Sequence, residues 1–129
     1  MTLLIDTHAF LWFIGGDDRL ADEAREAILN PANTRLLSVA ALWEMSIKAG
    51  LGRLDVPLPF TRLVREHVEG NATSLLPIRA PHLDALVTLP LHHRDPFDRL
   101  MIVQAQTLGA TLVSRDEKFD AYSVSLLKA

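Results

Sequence analysis

Two acidic residues follow apolar runs of the chain at positions from which they could share a divalent cation. Asp6 comes directly after residues 3–5, and Asp116 comes two residues after residues 111–114. Short continuous apolar runs are typical of strands buried on both faces of a parallel sheet. Ligand sites in such sheets form at the carboxyl ends of the strands, so the two carboxylates would meet if these strands are neighbours. The alternatives are a turn-capping Asp6 and a solvated Asp116.

A third acidic residue, Glu44, lies inside the most apolar stretch of the chain, LLSVAALWEMSIKA. Glu44 and Lys48 are spaced i, i+4 in the favoured order, which at a helix surface is worth ~0.3–0.5 kcal/mol. The surrounding apolar residues leave this helix little polar surface, which favours instead a carboxylate beside the core that needs a partner. The sequence leaves both interpretations open.

Two further aspartates, Asp95 and Asp98, lie in the segment HHRDPFDRLMIVQA. Asp95 precedes Pro96 and is therefore the natural N-cap of a helix with proline at its first position. Asp98 shares a helix face with Ile102 and Ala105, which predicts a carboxylate at the edge of the core. Capping explains Asp95 well, and an additional role beside a site stays open.

Carboxylates gathered in one crevice of low dielectric repel one another, and a hard divalent cation relieves that repulsion. Mg²⁺ prefers oxygen ligands, keeps several waters and needs only one or two direct carboxylates. Such a site suits phosphodiester hydrolysis, because the cation polarises the phosphoryl oxygen and acidifies water, while a further carboxylate orients that water. Mg²⁺ is therefore the predicted cofactor.

Other chemistries find little support. The chain has no cysteine, which excludes disulfides, thiolate metal sites and a cysteine nucleophile. No GxSxG elbow and no glycine-rich phosphate loop is present. His92 and His93 are adjacent and neither has a histidine four positions on, so metal-ligand spacing is absent. All five histidines, the others being His8, His67 and His82, are expected to be ordinary core or solvated residues.

Length and composition predict one soluble domain spanning residues 1–129. The chain is 49% apolar and 22% charged, with a net charge of −3. A stand-alone nucleic-acid-binding protein would usually carry a positive net charge. A cation bound to the acidic residues would supply the missing positive potential. No apolar run is long enough to span a membrane, and no signal-peptide pattern precedes the first strand, so a cytoplasmic location is expected.

Strand and helix patterns alternate along the chain, which predicts an α/β fold around a mostly parallel sheet. Four strands are predicted at residues 3–5, 36–38, 74–78 and 111–114, with a fifth candidate at 123–125. Helices are predicted at residues 10–14, 20–29 (capped by Asp18), 40–49, 60–69, 81–87 and 96–108, the last ended by Gly109. Residues 56–59 form an extended connector, and residues 88–95 a loop.

The segments LLIDTHAFLW, SVAALWEMSIK and DPFDRLMIVQAQTLGATLVSRDEKF, in this order, resemble a PIN domain of the VapC toxin family. The resemblance covers residues 3–122 and implies a three-layer α/β/α sandwich with an endoribonuclease site that depends on Mg²⁺, or on Mn²⁺ as a substitute. By that resemblance Asp6, Glu44 and Asp98 match the three characteristic acids, and Asp116 matches the frequent fourth.

The resemblance also implies roles and partners. Asp6 and Asp98 would be direct metal ligands, while Glu44 and Asp116 would hold waters or a second ion. Thr7 and Ser114 match small hydroxyl positions beside the first and fourth acids. The family is inhibited by a cognate VapB-type antitoxin in a type II toxin–antitoxin system, forms homodimers, and cleaves RNA to leave 5′-phosphate and 3′-hydroxyl ends.

The sequence also offers three interpretations other than a PIN-domain nuclease. A haloacid-dehalogenase-like phosphatase needs an aspartate two positions after Asp6, where His8 stands, and a receiver domain needs an acidic neighbour that Asp6 lacks. Only a measurement of activity distinguishes a non-catalytic PIN-like interaction module from a PIN-domain nuclease. Arg94, Arg99 and Arg115 adjoin the acids and could contact phosphates, although surface counter-charges are the favoured interpretation.

Overall fold

A five-stranded sheet, parallel at every pairing, forms the centre of the computed structural model, which describes residues 1–56 and 59–129. The strands are β1 (Thr2–Ile5), β2 (Thr34–Ser38), β3 (Thr73–Leu76), β4 (Thr111–Ser114) and β5 (Ser125–Lys128). Their spatial order is β3-β2-β1-β4-β5. The predicted α/β class is thus confirmed. Part of the predicted connector, residues 57 and 58, lies outside the described residues.

Within the described residues, six α-helices connect the strands: α1 (Thr7–Ile14), α2 (Asp22–Leu29), α3 (Val39–Gly50), α4 (Phe60–Leu63), α5 (Ala80–Thr88) and α6 (Pro96–Leu108). Leu3, Leu4 and Ile5 of β1 are all fully buried. Because successive strand residues point to opposite faces, both faces of the sheet are covered. The sheet is therefore the middle layer of an α/β/α sandwich. No helix among the described residues is long and apolar enough to cross a membrane.

The strand order creates a crevice beside β1. From β1 the chain builds β2 and β3 on one side, then returns to place β4 on the other side, where Ile5 pairs with Val113. This reversal next to β1 is the topological switch point at which open α/β sheets bind ligands. The predicted condition for Asp6 and Asp116 to meet, neighbouring strands, is confirmed.

Side-chain caps set the starts of the helices that surround this crevice. Asp6 caps α1, Ser38 caps α3 and Asp95 caps α6, each accepting a hydrogen bond from a backbone N–H of the first turn. The cap at Asp6 starts α1 at Thr7, three residues before the predicted start. Gly109 ends α6 with φ +64°, as its position after the helix predicts.

Several predicted boundaries were wrong for local reasons. Helix α2 begins at Asp22 with no side-chain cap, not behind Asp18, because the preceding turn is built by Asp17 and its hydrogen bonds to Arg19. The helix predicted at 60–69 changes pitch, with a π turn at Val64–Val68 and a 3₁₀ turn at Glu69–Asn71. Strand β3 ends before Pro77, and β5 starts two residues later than predicted.

Candidate metal centre

Eight residues line a pocket of about 120 Å³ at the carboxyl ends of β1 and β4: Asp6, Thr7, His8, Glu44, Lys48, Asp95, Asp98 and Asp116. All five acids singled out in the sequence, the four matched by the family resemblance together with Asp95, lie on this one pocket. A water occupies about 30 Å³ of liquid, so the volume accommodates a small cation with a few waters. The carboxylates come from four places in the fold: the end of β1 (Asp6), α3 (Glu44), the start of α6 (Asp95 and Asp98) and the loop after β4 (Asp116).

Asp6 has two roles at the end of β1. Its backbone N–H donates to the carbonyl of Val113 at 3.0 Å, which continues the pairing of β1 with β4. Its Oδ1 accepts the N–H of Ala9 at 2.8 Å and so caps α1. The side chain is nearly buried, and this burial raises the pKa of the carboxyl above its ordinary value. Capping and a place on the pocket are therefore both true of Asp6.

Glu44 is held from both sides. Its Oε1 accepts the hydroxyl of Thr7 at 2.6 Å, and its Oε2 accepts the ammonium of Lys48 at 2.6 Å. The residue is only 4% exposed. The two interpretations of Glu44 thus combine, because the i, i+4 pair exists but belongs to a buried carboxylate. The hydrogen bond from Lys48 also raises the pKa of that lysine.

The carboxyl of Asp98 is largely buried and lies among other negatively charged side chains. Its side chain is 19% exposed, and the pKa of its carboxyl is raised to about 8. Burial is the main cause, followed by the negative charges of Asp95, Glu44, Asp6 and Asp116. At neutral pH this carboxyl therefore binds a proton unless another positive charge enters. Buried oxygen donors in a strongly negative pocket fit a hard divalent cation.

Asp116 begins a 3₁₀ turn (Glu117–Ala121) after β4, where its Oδ1 accepts the N–H of Lys118 at 2.9 Å. Its own N–H donates to the hydroxyl of buried Ser114 at 3.1 Å, which fixes the turn out of the strand. With a side chain 37% exposed, Asp116 is more accessible to water than Asp98 or Glu44.

His93 is a site residue that sequence reasoning missed. Its Nε2 lies 2.9 Å from Oδ2 of Asp98 and 3.0 Å from Oδ2 of Asp116, and the residue is 5% exposed. These three side chains could surround one ion, since their ligand atoms lie within 4.8 Å of one another. The histidine spacing gave no signal because both contacts are to carboxylates.

Asp95 belongs to the site as well as to its helix. Its Oδ1 accepts the N–H groups of Phe97 and Asp98 at 2.9 and 3.1 Å, which is the predicted cap. The same side chain lines the pocket, and its charge is the second cause of the raised pKa of Asp98. The cap is therefore confirmed, and the additional role of Asp95 beside a site stays a prediction that its position on the pocket supports.

The arginines next to the acids mainly bind backbone carbonyls. Arg99 donates to the carbonyls of Leu89, Pro90 and His93. Arg115 donates to the carbonyl of the terminal residue Ala129, with its guanidinium 4.4 Å from the ring centroid of Trp12. The bonds of Arg99 and Arg115 to carbonyls hold loops in place, which the interpretation as surface counter-charges did not include, and for Arg94 that interpretation stays a prediction. Arg94 is exposed.

Comparison with known proteins agrees with this geometry. The sequence pattern of one family, described as "PIN domain", matches residues 3–124. The chain belongs to the PIN domain family. No curated protein sequence matches this PIN domain significantly.

Solved structures share the fold of this PIN domain along nearly its full length. VapBC2 from Rickettsia felis, bound to a DNA fragment from its promoter, is similar with a TM-score of 0.71 and 17% identity, over 99% of this chain and 98% of that one. A toxin–antitoxin complex from Klebsiella pneumoniae gives 0.64 and 17%, over 97% and 95% of the two chains. FitAcB from Neisseria gonorrhoeae gives 0.62 and 17%, over 97% and 96%. At this identity the likeness concerns the fold alone.

Proposed function

We propose that this PIN domain is the toxin of a type II toxin–antitoxin system and acts as a Mg²⁺-dependent endoribonuclease in the cytoplasm. The observation that carries the proposal is the convergence of Asp6, Glu44, Asp98 and Asp116 on one small pocket, where burial, and then the neighbouring negative charges, raise the pKa of Asp98 to about 8. The structural similarity to toxin–antitoxin proteins supports the choice of system. RNA is the proposed substrate.

The cation would be held by Asp6 and Asp98 directly, and by Glu44 and Asp116 through water. When bound, Mg²⁺ or Mn²⁺ supplies a Lewis acid for the phosphoryl oxygen and lowers the pKa of water. The residues fit this role because all four acids offer oxygen donors, and burial, joined at Asp98 by neighbouring negative charges, raises the carboxyl pKa of Asp6 and Asp98.

The chain's own side chains would prepare the reaction. Thr7 and Lys48 occupy both oxygens of Glu44, so its carboxylate cannot rotate when RNA enters. Asp116 is accessible to water, and we assign it the orientation of the water that attacks the phosphate. Asp98 would give up its proton as the cation enters and so match the charge of the ion. Attack in line with the leaving 3′-oxygen then leaves 5′-phosphate and 3′-hydroxyl ends.

The antitoxin would use the same pocket. An acidic pocket on a chain of net charge −3 attracts a basic side chain, and a basic side chain seated there would displace the cation and block RNA. The proposed partner is therefore a VapB-type antitoxin with a basic segment that covers the pocket.

A second copy of the chain is the other proposed partner. Along one face of α3 and just beyond it, four exposed apolar residues recur every four positions: Val39, Trp43, Ile47 and Leu51. A stripe of this kind can pack against its own copy about a two-fold axis. Light scattering should give twice the 14.3 kDa chain mass for the wild type and the monomer mass for Ile47→Glu. A wild-type monomer at micromolar concentration would rule the dimer out.

The test of the nuclease is cleavage of purified RNA by antitoxin-free protein. We expect cleavage with Mg²⁺, none with chelator, and a loss of more than about 100-fold in Asp98→Asn, because removal of even an outer partner of a metal ligand costs about 10–100-fold. Asp84→Asn, at an exposed position of α5, is the matched control and should keep wild-type activity. An inactive wild type that binds Mg²⁺ would favour a non-catalytic interaction module.

A further inference from the structure

The ring of His93 lies between a fixed backbone donor and two carboxylates. On one side its Nδ1 accepts the backbone N–H of Asp95 at 3.3 Å. On the other side its Nε2 lies 2.9 Å from Asp98 and 3.0 Å from Asp116. Both ring nitrogens are therefore engaged, and the partner of Nδ1 is a group that can only donate.

This arrangement selects one tautomer of the imidazole. An N–H at Nδ1 would point at the N–H of Asp95, so Nδ1 presents its lone pair and the ring N–H is on Nε2. That Nε2–H is directed between Oδ2 of Asp98 and Oδ2 of Asp116. His93 therefore donates one hydrogen bond that is shared by the side chains of Asp98 and Asp116.

The ring cannot easily leave this orientation. The hydroxyl of Tyr122 accepts the backbone N–H of His93 at 2.8 Å and donates to the carbonyl of Pro90 at 2.8 Å. Arg99 donates to the carbonyl of His93, and the ring of Phe119 lies 5.6 Å away between centroids. Side chains from two elements thus hold one buried histidine against the acidic pocket.

We propose that His93 is a positioning residue, whose Nε2–H holds the carboxylates of Asp98 and Asp116 in place for a cation that Asp98 would bind directly and Asp116 through water, and that His93 is not itself a ligand. Ligation through Nε2 would require the proton on Nδ1 and would break the contact with Asp95. A cation bound in the pocket would then be held by oxygen donors alone, which suits Mg²⁺ and Mn²⁺ better than ions that prefer nitrogen ligands. This inference rests on the proposed function for the presence of the cation.

Nitrogen NMR of the histidine rings tests the tautomer without any RNA. The spectrum of ¹⁵N-labelled protein is recorded free of metal and with Mg²⁺, and the His93 signals are assigned by their absence in His93→Gln. We expect an unprotonated Nδ1 and a protonated Nε2 in both states. A protonated Nδ1 in either state would overturn the proposal, since it would make Nε2 a ligand or the ring a cation.

Calorimetric titration with Mn²⁺ tests the positioning role. Relative to wild type, His93→Leu should bind Mn²⁺ about 10–100-fold more weakly, as expected for an outer partner of a metal ligand. His93→Gln keeps an amide N–H donor and should recover most of that loss, which a purely structural role would not predict. If His93→Leu does not fold, failure of His93→Gln to bind within about tenfold of wild type overturns the role instead.

The two proposals can fail separately. A wild-type protein that cleaves RNA but shows His93 protonated on Nδ1 refutes only the positioning role. The expected tautomer and Mn²⁺ affinities in a protein that cleaves no RNA refute only the proposed function.

Discussion

The hydroxyl of Thr7 donates to Oε1 of Glu44 at 2.6 Å, joining two residues that are 37 positions apart in the sequence. Thr7 is the first residue of α1, and Glu44 lies in the middle of α3. This bond brings an acid that follows no strand to the crevice where β1 and β4 end. Lys48 holds the other oxygen, so the carboxylate is fixed before any cation binds.

Removal of the Thr7 hydroxyl should destabilise the protein. In Thr7→Val the shape is kept but buried Glu44 loses a partner, which costs about 1–3 kcal/mol of unfolding free energy. Thr7→Ser keeps the donor and is the matched control, with a smaller loss. Urea denaturation measures both. Equal stability of the valine variant and the wild type would show that this bond contributes nothing.

Metal-free protein should lose stability as pH rises from about 4 to 8. The carboxyl of Asp98 has a pKa of about 8 when folded, against an ordinary value of 3.8. Between these values the folded state binds more protons than the unfolded state, so the unfolding free energy falls with increasing pH. Asp98→Asn should reduce this slope, leaving the part due to Asp6, whose pKa is also raised.

Urea denaturation in chelator at pH 5 and pH 8 measures this slope, with Asp84→Asn as a control that should behave as wild type. A wild type more stable at pH 8, or an unchanged slope in Asp98→Asn, would contradict the assignment of the raised pKa to Asp98.

Mg²⁺ affinity should increase with pH up to about 8. Below the pKa of Asp98, an entering cation displaces one proton from that carboxyl. Displacement of one proton weakens apparent binding by about tenfold for each pH unit below the pKa. Calorimetric titration at pH 6, 7 and 8, in buffers of different ionisation enthalpy, measures both the affinity and the protons released. Binding that is independent of pH would mean that the cation does not contact Asp98.

The two roles of Asp95 can be separated by substitution. Asparagine is a good N-cap, so Asp95→Asn should keep the stability of α6 while removal of the charge lowers the pKa of Asp98 below about 8. Asp95→Ala removes cap and charge together and should cost about 1 kcal/mol in addition. Titration of the Asp98 carboxyl by ¹³C NMR and thermal denaturation are the measurements. If the pKa of Asp98 were the same in both variants as in the wild type, the charge of Asp95 would not be a cause of the raised pKa.

The parts of this fold that could be predicted are those with local signals. Apolar runs marked β1 and β4, and the rule on strand ends predicted that Asp6 and Asp116 would meet if these strands are neighbours, which the structure shows they are. The sequence Asp95-Pro96 marked the start of α6, and Gly109 marked its end. For α6 the determining interactions lie within a few residues of the signal.

The parts that could not be predicted depend on residues distant in sequence. His93 contacts Asp98 in the first turn of α6 and Asp116, which lies 23 positions further along the sequence. The backbone N–H of His93 is bound by the hydroxyl of Tyr122, which lies 29 positions further along. No spacing rule connects such residues. The bonds of Arg99 and Arg115 to carbonyls likewise depend on where the loops lie after folding, so their charges alone suggested a different role.

Mapping of new RNA ends tests the central claim most directly. Total cellular RNA is incubated with antitoxin-free protein in Mg²⁺, in chelator, and with Asp98→Asn, and the 5′-phosphate ends are sequenced. We expect discrete internal ends that appear only with both the cation and Asp98. Absence of new ends in every RNA, from wild-type protein shown to bind Mg²⁺, would contradict the assignment of this pocket as a ribonuclease site.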